Sequence, residues 1–292
     1  MDFRHCSLVC VLGAVLFSQT GEASVCEDPG ASSYVSLAAV KHGTSAIEGG
    51  AGDNTQENLD THFLAQISEK LRFGFSHRYT KFNFDGIEPQ TNAHLHKLSF
   101  PVHWVTGDKR KGFRIAVAPT LSASSNVMGH PQEYRGDTLQ LAFALAWQRW
   151  LSDRLSVSYG LCGDDRFGTY RIYPAAAFRW RPHPDWSLDL GFPSSSVSYE
   201  ISEAVETGIR IAPDGSEWHV MGRDFVGESS FAYEAWALEW LLDLQVGARL
   251  SVTASLGRQL RNRFEMTLLS GERLDVESES VYRAGAEIRW TF

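Results

Sequence analysis

The chain has 292 residues and a formal charge of −8, with 43% hydrophobic and 12% aromatic residues and nine Trp. The acidic balance excludes nucleic acid as a partner, because a phosphate-binding surface needs clustered Lys and Arg. No stretch is apolar for the ~20 residues a membrane helix requires, and of four Cys only Cys26 and Cys162 lie beyond the expected signal segment, too few for a disulfide framework.

Arg4 precedes an apolar run from Cys6 to Phe17, and Gly21-Glu22-Ala23 follows a short polar step. That order predicts a secretory signal peptide over residues 1–23, a short segment over 24–32 and one β domain over 33–292. Cys6 and Cys10 would leave with the signal. Val25 is not the small residue that a lipoprotein signal places before its cysteine. A Cys26–Cys162 disulfide suits an oxidising compartment, and the sequence leaves it open.

Ser33 to Lys41 reads as the first strand, and the polar, Gly-rich stretch from His42 to Leu59 as a loop. A short strand follows near Thr61 to Ile67. The pattern then becomes regular. Leu71, Phe73, Phe75, His77 and Tyr79 alternate with Arg72, Gly74, Ser76, Arg78 and Thr80. Leu98, Phe100, Val102 and Trp104 alternate with Lys97, Ser99 and His103; Phe113 to Leu121, Leu139 to Gln148, Leu155 to Cys162 and Tyr170 to Arg181 repeat the pattern. Trp186 to Phe192, Val197 to Ile201, Val205 to Ile211, Trp236 to Leu242, Leu250 to Gly257 and a final stretch from Glu279 continue it, with loops expected over 212–228 and 270–278.

Alternating segments of ~10 residues separated by turn residues are the pattern of a transmembrane β-barrel. Short turns near 69, 109, 153, 183, 203 and 247 alternate with generally longer loops near 50, 88, 131, 165, 194, 220 and 274, of which only that at 194 is short. Trp104, Trp147, Trp180, Trp186, Trp240 and Trp290 fall beside the short turns or the C-terminus, where an aromatic girdle would place them. The expected fold is an all-β, antiparallel up-and-down barrel of fourteen strands, with twelve as the second choice. Pro101, Pro119 and Pro174 each remove a ladder donor, so bulges are expected there.

The closing stretch has Tyr282, Ala284, Ala286, Ile288, Trp290 and Phe292 on one face and Val281, Arg283, Gly285, Glu287, Arg289 and Thr291 on the other. A terminal Phe292 behind Trp290, Ile288 and Tyr282 resembles the C-terminal assembly signal of bacterial outer-membrane β-barrels. Ala284 and Ala286 are smaller than the residues usual in that signal. The mature chain as a whole resembles porin-like barrels of this class, especially small uncharacterised ones. The resemblance implies an outer-membrane location, contact with bilayer lipid and insertion by the barrel-assembly machinery. It implies no substrate and no oligomeric state.

The inward face would carry Arg72, Arg78, Lys97, Arg114, Arg171, Arg179, Arg181, Arg210, Arg283 and Arg289 against Asp189, Glu200, Glu206, Glu239 and Glu287. Such charges line an open, solute-selecting lumen, with the arginine excess favouring anions. They equally form an internal salt-bridge network that fills the barrel. Both readings stay open. A passive channel for small solutes is therefore one expectation, and a plugged structural or surface-interaction barrel is another, with the loops near 50, 131 and 220 as contact surfaces.

A hydrolase at the outer rim is a third reading, resting on His94, His96, Asp164 and Asp165. Two imidazoles alone are a weak metal signal, and no metal or other cofactor is expected. Ser76 and His77 are adjacent and point opposite ways, and no Gly-x-Ser-x-Gly elbow exists. No catalytic set is assigned.

Overall fold

Strand residues send side chains to opposite faces in turn. In a computed structural model one of those faces points into a shared interior and the other away from it. The structure describes residues 25–27, 30, 32–48, 52–86, 92–107, 110–130, 132, 134, 138–220, 229–267 and 273–292. The expected signal peptide over 1–23 lies outside them. The described strands close into an antiparallel barrel of fourteen staves.

The first seven staves are β1 Tyr34–His42, β2 Asp53–Gln66, β3 Leu71–Asp85, β4 Asn92–Ser99 continued by Val102–Gly107, β5 Lys111–Ser124, β6 Leu139–Ser152 and β7 Leu155–Asp164. The others are β8 Arg171–Trp180, β9 Trp186–Phe192, β10 Ser195–Ser202, β11 Val205–Pro213 continued by Ser216–Val220, β12 Ser229–Gln245, β13 Leu250–Thr267 and β14 Arg273–Ser278 continued by Val281–Thr291. A one-turn helix, α1 Ser125–Met128, follows β5. Each stave pairs with its neighbours in sequence. The ring closes where β1 pairs with β14 from Tyr34↔Thr291 to His42↔Arg283.

The outward face is apolar. Tyr282 is 74% exposed, Ile288 53% and Phe100 42%, and Phe143 and Leu188 share that face by alternation. These side chains do not meet in a dry centre, as a water-soluble sandwich would require. Unpaired backbone is avoided by closure, which is what lets strands cross a bilayer. The fold is that of an outer-membrane β-barrel. The six tryptophans Trp104, Trp147, Trp180, Trp186, Trp240 and Trp290 are all exposed on this face.

Several strands outrun the expectation. The stretch from Asp53 to Leu59, expected as loop, is the first half of β2. Its inward residues Asn54, Gln56 and Asn58 are polar and buried, so neither face shows an apolar stripe. Likewise Ser216–Val220 extends β11 into an expected loop, β12 begins at Ser229, and the first piece of β14 runs from Arg273 to Ser278. β12 and β13, with 17 and 18 residues, exceed the ~9–11 residues needed to cross the bilayer. Their outer ends stand above it.

The prolines behave individually. β4 breaks at Phe100-Pro101, and the Phe100 N–H donates to the carbonyl of Pro119 on β5 at 3.1 Å. Pro119 keeps its register with Leu141, and the missing donor falls beside that break. Pro174 keeps register with Leu161 and lies beyond the last β8–β9 rung, Ala176↔Phe192. The count across Pro101 is also unbroken, Ser76↔Ser99 being followed by Phe73↔Val102, so bulges at Pro101, Pro119 and Pro174 were the wrong expectation; the observed register shifts lie near Trp150, Ser202 and Glu234.

Candidate functional site: a lumen filled from two sources

The interior is divided at its outer end. The outer piece of β11 leaves the wall line and touches β5 across the ring. His219 pairs with Ala123 in parallel, and Ser122 Oγ donates to the Glu217 carbonyl at 2.5 Å. This crossing separates a half enclosed by β11–β14 and β1–β5 from a half walled by β5–β10.

The first half is filled by the wall's own side chains. At its outer level Phe82, Phe84, Leu95, Trp218, Phe231, Tyr233 and Phe264 pack together, all buried. Phe264 meets Phe82 edge-on at 5.5 Å and Phe84 at 5.3 Å, the geometry that aromatic quadrupoles favour. Below lies an ionic lattice. Arg78 donates from Nε to Asp60 at 2.7 Å and reaches Asp214 at 3.4 Å. Arg283 donates to Asp214 at 2.6 Å and lies 3.4 Å from Glu239, which lies 3.3 Å from Arg210. Gln259 joins the lattice by donating to Asp214 at 3.3 Å, and its carbonyl lies 2.5 Å from His42 Nδ1. Three carboxylates balance three guanidiniums. Charge balance is what makes burial of such groups tolerable.

The second half is filled by a segment that is not part of the wall. Residues 25–27 lie inside the barrel, with Val25 buried against Ala116, Ala118 and Ala144. Cys26 is disulfide-bonded to Cys162 on β7. The Arg114 guanidinium donates to the carbonyls of Val25, Cys26 and Glu27, the first two at 3.0 and 2.8 Å. Glu27 pairs with Arg166 at 3.2 Å. Next to this stopper is a cavity of about 180 Å³ lined by Arg114, Arg179, Asp189, Arg210, Ser156, Ser158 and Phe192.

The residues expected to line the lumen are spread over these surroundings. Arg72, Arg78, Glu239, Arg283 and Glu287 are buried inside the ring. Arg114 holds the stopper and Arg179 pairs with Asp189 at 3.0 Å. Arg289 pairs with Glu287 at 2.9 Å and stacks over Tyr34 at 4.4 Å. Arg171 stands at the outer rim, exposed, 3.7 Å from Glu234. The sequence reading missed Asp60, Asp214, Gln259 and His42. Asp214 lies in a stretch expected as loop and Asp60 in one without a stripe.

The rim residues are not brought together. Asp164 and Asp165 are buried on the lumen side. Asp165 accepts from Lys97, from Ser216 Oγ at 2.8 Å and from the Glu217 N–H at 3.0 Å. Asp164 accepts from Arg166 Nε at 3.0 Å and from the Tyr173 hydroxyl at 2.9 Å. In the loop beyond them, burial raises the Tyr170 phenol, and both carboxylates add to the shift. His94 and His96 stand on the opposite, outer side of the wall. There His94 Nδ1 meets Tyr79 Oη at 2.5 Å, and His96 Nδ1 meets His77 Nε2 at 3.1 Å.

No protein-family profile matches the chain, and no curated protein matches it. Among solved structures it is similar to the COG4313 outer membrane channel from Pseudomonas putida F1, at 10% identity and a TM-score of 0.48, over 94% of this chain and 100% of that one. It is also similar to the KdgM porin, at 9% identity and 0.36, over 88% and 99%. The translocator domain of the autotransporter NalP from Neisseria meningitidis matches at 10% and 0.38, over 91% and 90%. Likeness at this level adds nothing to the barrel already described.

Proposed function

We propose that the protein is an outer-membrane conduit for small solutes, seen here in its closed state. One observation carries this reading: residues 25–27, which belong to no stave, lie inside the half of the lumen walled by β5–β10, and a cavity of about 180 Å³ with Arg, Asp and Ser in its lining lies against them. Side chains of a hydrogen-bonded wall cannot leave, whereas this segment is held by the Cys26–Cys162 disulfide and can leave once an external thiol has reduced that bond. Its departure would free the Arg114 guanidinium from the three carbonyls it now serves, presenting fixed positive charge to a passing solute and favouring anions. The lipid-facing belt suits residence in the outer membrane, and the last strand suits recognition by the barrel-assembly machinery. No catalysis is assigned.

Single-channel recording in planar bilayers tests this. The full mature chain should be nearly silent, and the same chain lacking residues 25–30 should conduct, with a reversal potential favouring anions that Arg114→Gln weakens. A shortened barrel that folds and stays silent removes the proposal.

The ionic lattice and aromatic cluster support a second reading, a rigid barrel that presents its outer loops to a partner. In that case removing the loops near 50, 131 or 220 abolishes binding and leaves the barrel folded.

A further inference from the structure

The wall has a notch. β9 and β10 have 7 and 8 residues, and their hairpin turns at Phe192–Ser195. On the β8 side the last rung is Ala176↔Phe192, so residues Arg171 to Ala175 continue outward without a partner there. On the β11 side the last rung is Ser195↔Ile211, so β11 also rises above the hairpin. Two adjacent strands are thus missing from the outer part of the wall. At ~4.8 Å per strand spacing the gap is wide enough to admit a flat ring.

One side chain fills it. Phe167, from the loop joining β7 to β8, is buried. It stacks on the exposed Phe192 at 5.6 Å and 11°, and lies 5.9 Å from Trp236 on β12. On its lumen side it meets Tyr173 edge-on at 5.0 Å. Tyr173 in turn touches the residues around the Cys26–Cys162 bridge. Among the described residues, the Phe167 ring, backed by Tyr173, thus stands between the interior and the lipid-facing surface.

The loop that carries it is fixed. Asp165 is bonded to Lys97, Ser216 and Glu217, and the Tyr170 hydroxyl donates to the Leu141 carbonyl at 2.8 Å. A Cβ at Gly215 would lie 2.6 Å from the Arg166 carbonyl and 2.7 Å from the Gly168 nitrogen, so the loop sits directly on the β11 break. With its backbone anchored, the ring can turn while the loop stays.

We infer that Phe167 is the stopper of a side window, through which a small, flat, uncharged, lipid-soluble molecule passes between the lumen cavity and the outer leaflet. The window frame is aromatic, which suits stacking of a flat apolar face. The cavity of about 180 Å³, which is lined by Phe192, the ring on which Phe167 stacks, exceeds the ~150 Å³ known to hold benzene. Its Ser and Arg–Asp lining accommodates one polar substituent. The inference rests on the proposed conduit only for the inner half of the route.

The test places a reporter cysteine, Ser196→Cys, in the cavity of the full chain in phosphatidylcholine vesicles, with Cys26 and Cys162 left paired. Two reagents compete: pyrene maleimide dissolved in the bilayer and a sulfonated maleimide confined to water. Phe167→Ala should speed pyrene labelling by about tenfold, equivalent to ~1.4 kcal/mol of barrier, and leave the sulfonated rate unchanged. Phe167→Trp should restore the slow rate. Phe192→Ala removes the other half of the stack and should act like Phe167→Ala, which covers misfolding of either variant. Equal acceleration by both reagents, or none in folded variants, overturns the window. A barrel silent in planar bilayers that still passes the pyrene reagent loses the conduit and keeps the window.

Discussion

Arg283 on β14 donates to Asp214, at the break in β11, over 2.6 Å, tying the last stave to the strand that crosses the lumen. Arg78 from β3 reaches the same carboxylate. Asp214 is thus the joint of the ionic lattice. Asp214→Ala leaves two buried guanidiniums short of a counter-charge, and such a loss costs about 3–5 kcal/mol. Urea unfolding in lipid vesicles should show it, and Asp214→Ala combined with Arg283→Met should lose less than the two single losses added together. Strict additivity would mean that the contact carries no coupling.

The stopper's tether is covalent in the folded protein. Protease digestion without reductant should yield one peptide joining Cys26 to Cys162, resolved by mass spectrometry, and the folded barrel should resist alkylation at both positions. Quantitative alkylation of the unreduced protein would contradict the pairing. Cys26→Ser should leave the wall folded, because its ladder does not involve Cys26.

The outer aromatic cluster holds its half of the lumen by packing alone. Phe82 is fully buried within it, and Phe82→Ala should cost about 3–5 kcal/mol in the same unfolding measurement. Phe73→Ala lies on the same stave but on the outward face, where lipid refills the space, and it should cost much less. Equal costs would mean that the two faces share one environment.

Ala286 is outward-facing, midway along β14 between Tyr282 and Trp290. Ala286→Arg should destabilise the barrel by ~2–4 kcal/mol, as a cation does near the bilayer midplane. Ala286→Leu should not. A neutral arginine there would mean that this stripe does not face hydrocarbon.

The wall was legible in the sequence wherever one face is apolar and the other polar, as from Leu71 to Tyr79 or Tyr282 to Phe292. It was illegible where both faces are polar, as from Asp53 to Asn58; the strand from Leu71 to Phe84 was read to its end, though at Phe82 and Phe84 it is the interior face that is apolar. There the alternation fades or inverts, although the backbone pairing continues. The filling of the lumen was hidden for another reason. The Asp60–Arg78–Asp214–Arg283 chain joins positions far apart in sequence through register around a ring, and Cys26 lies 136 residues from Cys162. Periodicity reports which way a side chain points, not what it finds there.

The seam between β1 and β14 has a consequence for biogenesis. A hoop has no finished portion: until its two lips meet, both expose bare amides to hydrocarbon, so the penalty stays undiminished until the final rung zips shut. Maturation should therefore be abrupt, and a nascent cylinder held one plank short should stay with whatever cradles its open edges.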